Sequence, residues 1–134
     1  MRAFLAVPLA CAVMATAASA ADAKMKTSAE YDRCMKKAYS DSDMEDCDLA
    51  ETARLDKSLN DVYRALLKTY DANTRNFLLD AERKWVAFRD AECDYQYQTM
   101  EGGTMAKLLY GNCELRLTQQ RLQDLRDDLK AAQP

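Results

Sequence analysis

The chain has 134 residues, carries 19 Lys and Arg against 22 Asp and Glu, and contains no histidine. Its length fits one small domain, and the lack of histidine excludes Ser-His-Asp and Cys-His catalysis and imidazole ligands for zinc. The net charge of -3 argues against a nucleic-acid partner. Three glycines and two prolines are too few turn residues for a β-sandwich or β-barrel, so we expect an all-α fold.

The first segment is typical of a secretory signal peptide. A basic start, an apolar run over residues 3–14 and the small residues Ala18-Ser19-Ala20 follow one another. We predict cleavage after Ala20, so that residues 1–20 are removed and the mature protein is periplasmic or secreted, with no membrane attachment. An uncleaved anchor is less favoured because the apolar run falls well short of the roughly 20 residues that span hydrocarbon. Lipidation at Cys11 is a minor alternative, since Pro8 stands where a lipobox has a large aliphatic residue.

Apolar residues at three- and four-residue steps predict an up-down bundle of three to four helices. Residues 21–33 are a lead-in, and residues 34–130 form the helical domain. A short first helix covers Ser28 to Tyr39, with Tyr31, Cys34, Met35 and Ala38 on one stripe. A second helix follows a capping box at Ser42–Glu45 and continues to Tyr70, with Leu49, Thr52, Leu55, Leu59, Val62 and Leu66 on its stripe.

The third and fourth predicted helices flank a Gly-Gly turn. The third begins after polar capping residues 71–74 and stops near Met100, with an inward stripe of Phe77, Ala81, Trp85, Phe88 and Tyr95. The fourth follows Gly102-Gly103-Thr104 and carries Leu108, Leu115, Thr118, Leu122, Leu125 and Leu129. Gly111 is its expected weak point, because glycine costs about 1 kcal/mol in a helix interior.

Four cysteines remain after the predicted cleavage, at positions 34, 47, 93 and 113. An even number in an exported chain favours two disulfides, for which three pairings exist. A bridge between antiparallel helices should lie symmetrically about their turn. The midpoints of Cys34 with Cys47 and of Cys93 with Cys113 fall on turn signals, so we predict these pairs, each joining one helical hairpin. No Cys-x-x-Cys motif supports redox catalysis or zinc, and we expect no metal and no cofactor.

Two segments are candidates for binding a partner. Residues 41–48 include five acidic residues. Such a run fits a calcium loop, acidic residues at a helix N-terminus or a docking patch for a basic protein. An EF-hand calcium loop is not supported, and a helix N-terminus is favoured over a docking patch. Among the aromatic residues, Tyr95 and Tyr97 are the candidates for exposed contacts. Carboxylate pairs such as Asp127-Asp128 have no apolar wall to raise a pKa, so we do not expect an enzyme.

The order of motifs through the mature chain resembles the LprI-like lysozyme-inhibitor family. The resemblance spans about residues 34–125 and rests on Leu55-Asp56-Lys57-Ser58-Leu59-Asn60-Asp61-Val62-Tyr63 and Trp85-Val86-Ala87-Phe88-Arg89-Asp90-Ala91-Glu92-Cys93. It continues through Gly102-Gly103-Thr104, with threonine in place of serine, to Cys113 and Leu117-Thr118-x-x-Arg121. The resemblance implies an extracytoplasmic helical domain with paired cysteines. We assign structural roles to the motif residues Asn60, Tyr63, Trp85, Arg89, Asp90 and Arg121.

The function implied by the resemblance is inhibition of lysozyme-like muramidases by occlusion of the active-site cleft. Many lysozymes are basic, so an acidic domain would gain encounter rate with such a partner. The expected contact segments are the loop 99–104 and the acidic turn 40–48. The candidate contact residues in them and beside them are Asp41, Asp43, Glu45, Asp46, Tyr97, Glu101, Gly102 and Gly103. The alternative is an envelope interaction module that binds another periplasmic protein and not lysozyme; a hydrolase with paired carboxylates has the least support.

Overall fold

The computed structural model describes residues 27–133, and this part of the chain contains four helices and no strand. The helices are α1 (Ala29–Met35), α2 (Asp41–Thr69), α3 (Ala72–Gln98) and α4 (Thr104–Ala131). The predicted all-α up-down fold is confirmed. The expected signal peptide over residues 1–20 lies outside the described residues, so its cleavage stays a prediction.

Helix α4 is the central element of the bundle. Its most extensive contact is with α2, it packs less extensively against α3, and α1 packs on α2, whereas α2 and α3 touch each other little. Because the chain reverses between α2 and α3 and again between α3 and α4, α2 and α4 run in the same direction. The starts of α2 and α4 therefore lie at one end of the bundle.

Both predicted disulfides are confirmed. Cys34 pairs with Cys47 and Cys93 with Cys113, with Cα atoms 5.7 and 5.5 Å apart. The first bridge joins α1 to α2 and the second joins α3 to α4. Each hairpin is thus closed by one disulfide, as the symmetric spacing about the turns predicts.

The capping box of α2 differs from the predicted one. It begins at Ser40 rather than Ser42: the Ser40 hydroxyl accepts a hydrogen bond from the Asp43 amide, and the Asp43 carboxylate accepts from the Ser40 and Tyr39 amides, each at 3.1 Å. Because the Tyr39 amide donates to the Asp43 carboxylate, Tyr39 belongs to the N-terminal cap of α2 and not to α1. Helix α1 accordingly ends at Met35, earlier than the predicted Tyr39.

Leucines of α2 and α4 form the core. Leu59 and Leu66 of α2 meet Leu122 and Leu125 of α4, and all four are at most 6% exposed. The predicted stripe of α4 is confirmed at its centre, where Leu115 and Thr118 are also buried. The stripe of α2 is wrong at Leu49, which lies 41% exposed, because the first turns of α2 face α1 and α4 through Cys47, Asp48 and Thr52 instead.

The inward stripe predicted for α3 is wrong except at Trp85, which packs against the core. Phe77, Phe88 and Tyr95 are 70%, 55% and 65% exposed, and of the predicted stripe only Trp85 is half-buried. The helix is rotated so that Leu78 and Trp85 pack against the core and Cys93 reaches α4. Neighbouring residues of a helix lie about 100° apart around its axis, so two stripes offset by one residue satisfy the same periodicity. The disulfide and an ion pair between Glu82 and Arg121 fix the rotation that the stripe alone leaves open.

Helix α4 continues through Gly111 without a break, contrary to the expected weak point. Gly111 is buried, and a Cβ atom there would lie 3.3 Å from the Cβ atom of Asp48. This distance is shorter than an ordinary van der Waals contact, so Asp48 would have to move to admit a side chain at Gly111. Glycine at this position lets α4 approach α2 closely, and the packing gained there offsets the low helix propensity of glycine.

Candidate protein-binding site

Two of the predicted contact segments lie together at one end of the bundle, which we call the disulfide end and define as residues 39–48 and 99–105. The Thr104 hydroxyl donates to the Asp41 carboxylate at 3.2 Å, and this bond joins the start of α4 to the start of α2. Each disulfide cross-links two helices that meet at this end. The parallel course of α2 and α4 is what brings the acidic turn and the Gly-Gly loop side by side.

The loop between α3 and α4 has an unusual backbone. Glu101, Gly102 and Gly103 have φ angles of 54°, 91° and 92° in succession. Glycine adopts this left-handed region without a steric penalty, whereas Glu101 does so at some cost. Only glycines at 102 and 103 allow so sharp a reversal, so the candidate contact residues Glu101, Gly102 and Gly103 determine the shape of the loop.

Apolar side chains surround these two segments on the surface. Tyr39 is 95% exposed, and Met100 and Met105, which flank the loop, are 47% and 46% exposed. Aromatic residues and methionine are enriched in protein interfaces. These three residues are not among the contacts predicted from the sequence, although two methionines that flank a Gly-Gly turn indicate an exposed apolar tip.

The acidic residues of the turn have different roles. Asp43 is a capping residue, and the amides of Tyr39 and Ser40 together with the Ser40 hydroxyl hold the pKa of its carboxyl below the ordinary value. Asp41 is engaged with Thr104. Asp46 is exposed and has no hydrogen bond or ion pair with any residue in 27–133. Asp46 is therefore an exposed acid of the turn that a partner can reach.

A cavity of about 340 Å³ lies beside the turn, where α2, α3 and α4 meet. It brings the candidate contacts Glu45 and Tyr97 together with four residues that were not predicted as contacts: Asp94, Gln98, Lys107 and Tyr110. Tyr95, the other tyrosine considered for contacts, is exposed on the outer face of α3. The disulfide end thus combines carboxylates, tyrosines and exposed methionines.

Asp48, the last acid of the run, is buried rather than exposed. It is 1% exposed, its Oδ1 atom accepts a hydrogen bond from the Tyr31 hydroxyl at 2.8 Å, and its Oδ2 atom has no partner in the described part of the chain. Burial raises the pKa of its carboxyl, the Tyr31 hydrogen bond opposes the rise, and the nearby Glu45 carboxylate adds to it. Asp48 is a link between α1 and α2 and not a contact for a partner.

We expect Asp48→Asn to become more favourable for stability, relative to wild type, as pH rises from 4 to 7. A carboxyl whose pKa is raised on folding binds its proton more tightly in the folded state, so its contribution is fully present below the unfolded pKa and is lost as pH rises through the folded pKa. Asparagine keeps the acceptor for Tyr31 and does not ionise. Urea unfolding of both proteins at pH 4, 5.5 and 7 measures the difference; a difference that is constant with pH would contradict the assignment.

The motif residues lie away from the disulfide end. Asn60, Tyr63, Trp85 and Arg89 line an open groove between α2 and α3. Arg89 donates to Asp90 through Nε and Nη2 at 3.0 and 2.8 Å and lies 5.3 Å from the centre of the Trp85 ring. Arg121 donates from Nε to Glu82 at 2.8 Å and so joins α4 to α3. Asn60 donates to the backbone carbonyl of Asp56 in its own helix.

The described residues give no support for a metal site or a membrane span. Within residues 27–133 no three cysteine, aspartate or glutamate side chains are grouped so that they could hold a metal ion. None of the four helices is both long and apolar enough to cross a lipid bilayer.

Comparison with known proteins agrees with the motifs. The family model described as lysozyme inhibitor LprI matches residues 11–125. An uncharacterized protein of Rhizobium meliloti (strain 1021) is 25% identical over 111 residues, which cover 73% of this chain and 80% of that protein. No solved structure matches significantly. The chain therefore belongs to the LprI family of lysozyme inhibitors.

Proposed function

We propose that this protein is an exported inhibitor of a basic lysozyme-like muramidase and that its disulfide end occludes the active-site cleft of the enzyme. The observation that carries the proposal is the pairing of the acidic turn with the Gly-Gly loop through the bond between Thr104 and Asp41, with Tyr39, Met100 and Met105 exposed around it. Family membership supports a lysozyme-inhibitor role in general.

The mechanism combines attraction with steric exclusion. Asp46 and its acidic neighbours attract a basic enzyme, which raises the association rate at low salt. The loop, held by the disulfide between Cys93 and Cys113, loses little conformational entropy on docking. A lysozyme acts through two carboxylates in an open cleft, so a rigid apolar tip that enters the cleft would exclude the sugar without any chemical step.

We expect Asp46→Lys to weaken inhibition of a basic c-type lysozyme about fivefold at low salt and less at moderate salt, because the exposed charge acts through a field that salt screens. The measurement is lysozyme turnover against increasing concentrations of the mature chain, residues 21–134. Asp128→Lys is the matched control, since it makes the same charge change on an exposed residue at the other end of α4. Equal losses in the two variants would mean that net charge matters and the disulfide end does not.

A second candidate function is an envelope module that binds a different protein. The exposed Phe77, Phe88 and Tyr95 on the outer face of α3 favour it, since they form an aromatic stripe at helical spacing that nothing in the described chain covers. Under this alternative Phe88→Ala abolishes capture of the partner and the protein has no effect on lysozyme turnover. Under our proposal Phe88→Ala leaves inhibition intact.

A further inference from the structure

The open groove between α2 and α3 lies outside the disulfide end and has no part in the proposed inhibition. Its volume is about 510 Å³, within the range of roughly 300 to 1,000 Å³ that small-molecule sites occupy. One wall comes from α2 with Asp56, Leu59, Asn60 and Tyr63, and the other from α3 with Leu79, Glu82, Arg83, Trp85, Val86 and Arg89. The groove exists because both helices pack on α4 while touching each other little.

Several hydrogen-bonding groups of the groove are unused within residues 27–133. The Tyr63 hydroxyl and the Trp85 Nε1–H make no hydrogen bond, and Arg83 has no ion pair. The Asp56 carboxylate accepts no hydrogen bond, and its nearest cation is Arg89 at 3.8 Å. Both walls of the groove therefore carry hydrogen-bonding groups that a ligand can use.

The charges of the groove balance. Of the four charged lining residues, Glu82 is engaged with Arg121 and Arg89 with Asp90. Asp56 accepts no hydrogen bond but lies within ion-pair distance of Arg89, at 3.8 Å. Arg83 has no ion pair within residues 27–133. The groove thus selects neither an anion nor a cation, which points to a neutral ligand.

Apolar area lies between these polar groups. Leu59, Leu79 and Val86 line the same groove, and Val86 is 40% exposed. An apolar helix laid over them would bury the Tyr63, Trp85, Asp56 and Arg83 groups without partners, which is costly. A ligand with hydroxyls that both donate and accept, and with an apolar C–H face, satisfies both kinds of surface.

We propose that the groove between α2 and α3 binds a short neutral saccharide. Hydroxyl groups of the sugar pair with Asp56, Tyr63, Arg83 and the Trp85 indole, and its C–H face rests on Leu79 and Val86. This site is independent of the proposed inhibition, so either can fail without the other.

The test is an NMR titration of the ¹⁵N-labelled mature chain with a tetramer of N-acetylglucosamine. Trp85 is the only tryptophan, so its indole N–H gives one resolved reporter in the groove. We expect saturable shifts of that signal and of backbone signals on both walls. Arg83→Ala and Tyr63→Phe should each raise the Kd about three- to tenfold, the effect of one lost hydrogen bond.

Lys84→Ala is the matched control, because Lys84 neighbours Arg83 in α3 but does not line the groove. It should leave the Kd unchanged. Shifts that do not saturate at millimolar glycan, or equal effects of Lys84→Ala and Arg83→Ala, would overturn the proposal. So would saturable shifts at the same signals with a basic amphipathic helical peptide and none with the glycan, since that result assigns the groove to a protein ligand.

Discussion

Replacing Cys93 and Cys113 together by alanine is expected to lower the free energy of unfolding by about 3 kcal/mol and to weaken inhibition of lysozyme. The bond closes a loop between residues 20 positions apart, and in the chain-entropy model its loss releases that constraint on the unfolded chain. The loop 99–103 lies within this segment. Its shape should relax when α3 and α4 are no longer joined, so the loop that we propose enters the cleft becomes less well ordered.

The variant without Cys34 and Cys47 distinguishes a loss of stability of the bundle from a loss of positioning of the loop 99–103. Its bridge spans 13 positions, so the expected loss of stability is similar, about 3 kcal/mol. It leaves the joint between α3 and α4 intact. Under conditions where both variants are folded, we expect inhibition to be weaker in the protein lacking Cys93 and Cys113. Equal inhibition by the two folded variants would show that the second disulfide stabilises the bundle without positioning the loop.

Leu125→Ala is expected to lower the free energy of unfolding by about 3 kcal/mol, whereas Phe88→Ala should cost less than about 1 kcal/mol. Leu125 is fully buried between α2 and α4, so truncation removes apolar contacts and leaves a cavity. Phe88 is 55% exposed on α3, so its truncation leaves no cavity in the core. Urea unfolding followed by circular dichroism measures both values.

This pair of variants distinguishes the observed rotation of α3 from the one that its sequence stripe predicts. With Phe88 in the core, its truncation would cost about 3 to 5 kcal/mol, as much as that of Leu125 or more. A loss of that size in Phe88→Ala would contradict the rotation described above. The ratio of the two effects matters more than either value, because cavity costs depend on how far the surroundings relax.

The sequence is most informative where local spacing decides the structure. The two disulfides follow from four cysteines placed symmetrically about two turns, and the core of α4 follows from Leu115, Thr118, Leu122 and Leu125 in a heptad pattern. The start of α2 is less well predicted, because both Ser40 and Ser42 have an acidic residue three positions later. The hydrogen bonds of Asp43 to Tyr39 and Ser40 favour the earlier one.

Features that depend on which helices touch could not be predicted. Helices α2 and α3 are consecutive, yet both pack on α4 and leave a groove between them. The sequence motifs include Asn60, Tyr63, Trp85 and Arg89, but their common place on that groove follows from the tertiary arrangement alone. The contact between Asp41 and Thr104 likewise depends on the parallel course of α2 and α4.

Hydrogen–deuterium exchange of residues 21–134 with and without a saturating basic c-type lysozyme tests the central claim most directly. The account predicts slower amide exchange in residues 39–48 and 99–105, because docking of the disulfide end excludes water there and orders the loop. Exchange in the groove walls and on the outer face of α3 should be unchanged. Unchanged exchange at the disulfide end, or protection confined to α3 around Phe88, would contradict the proposal that this end of the bundle binds the enzyme.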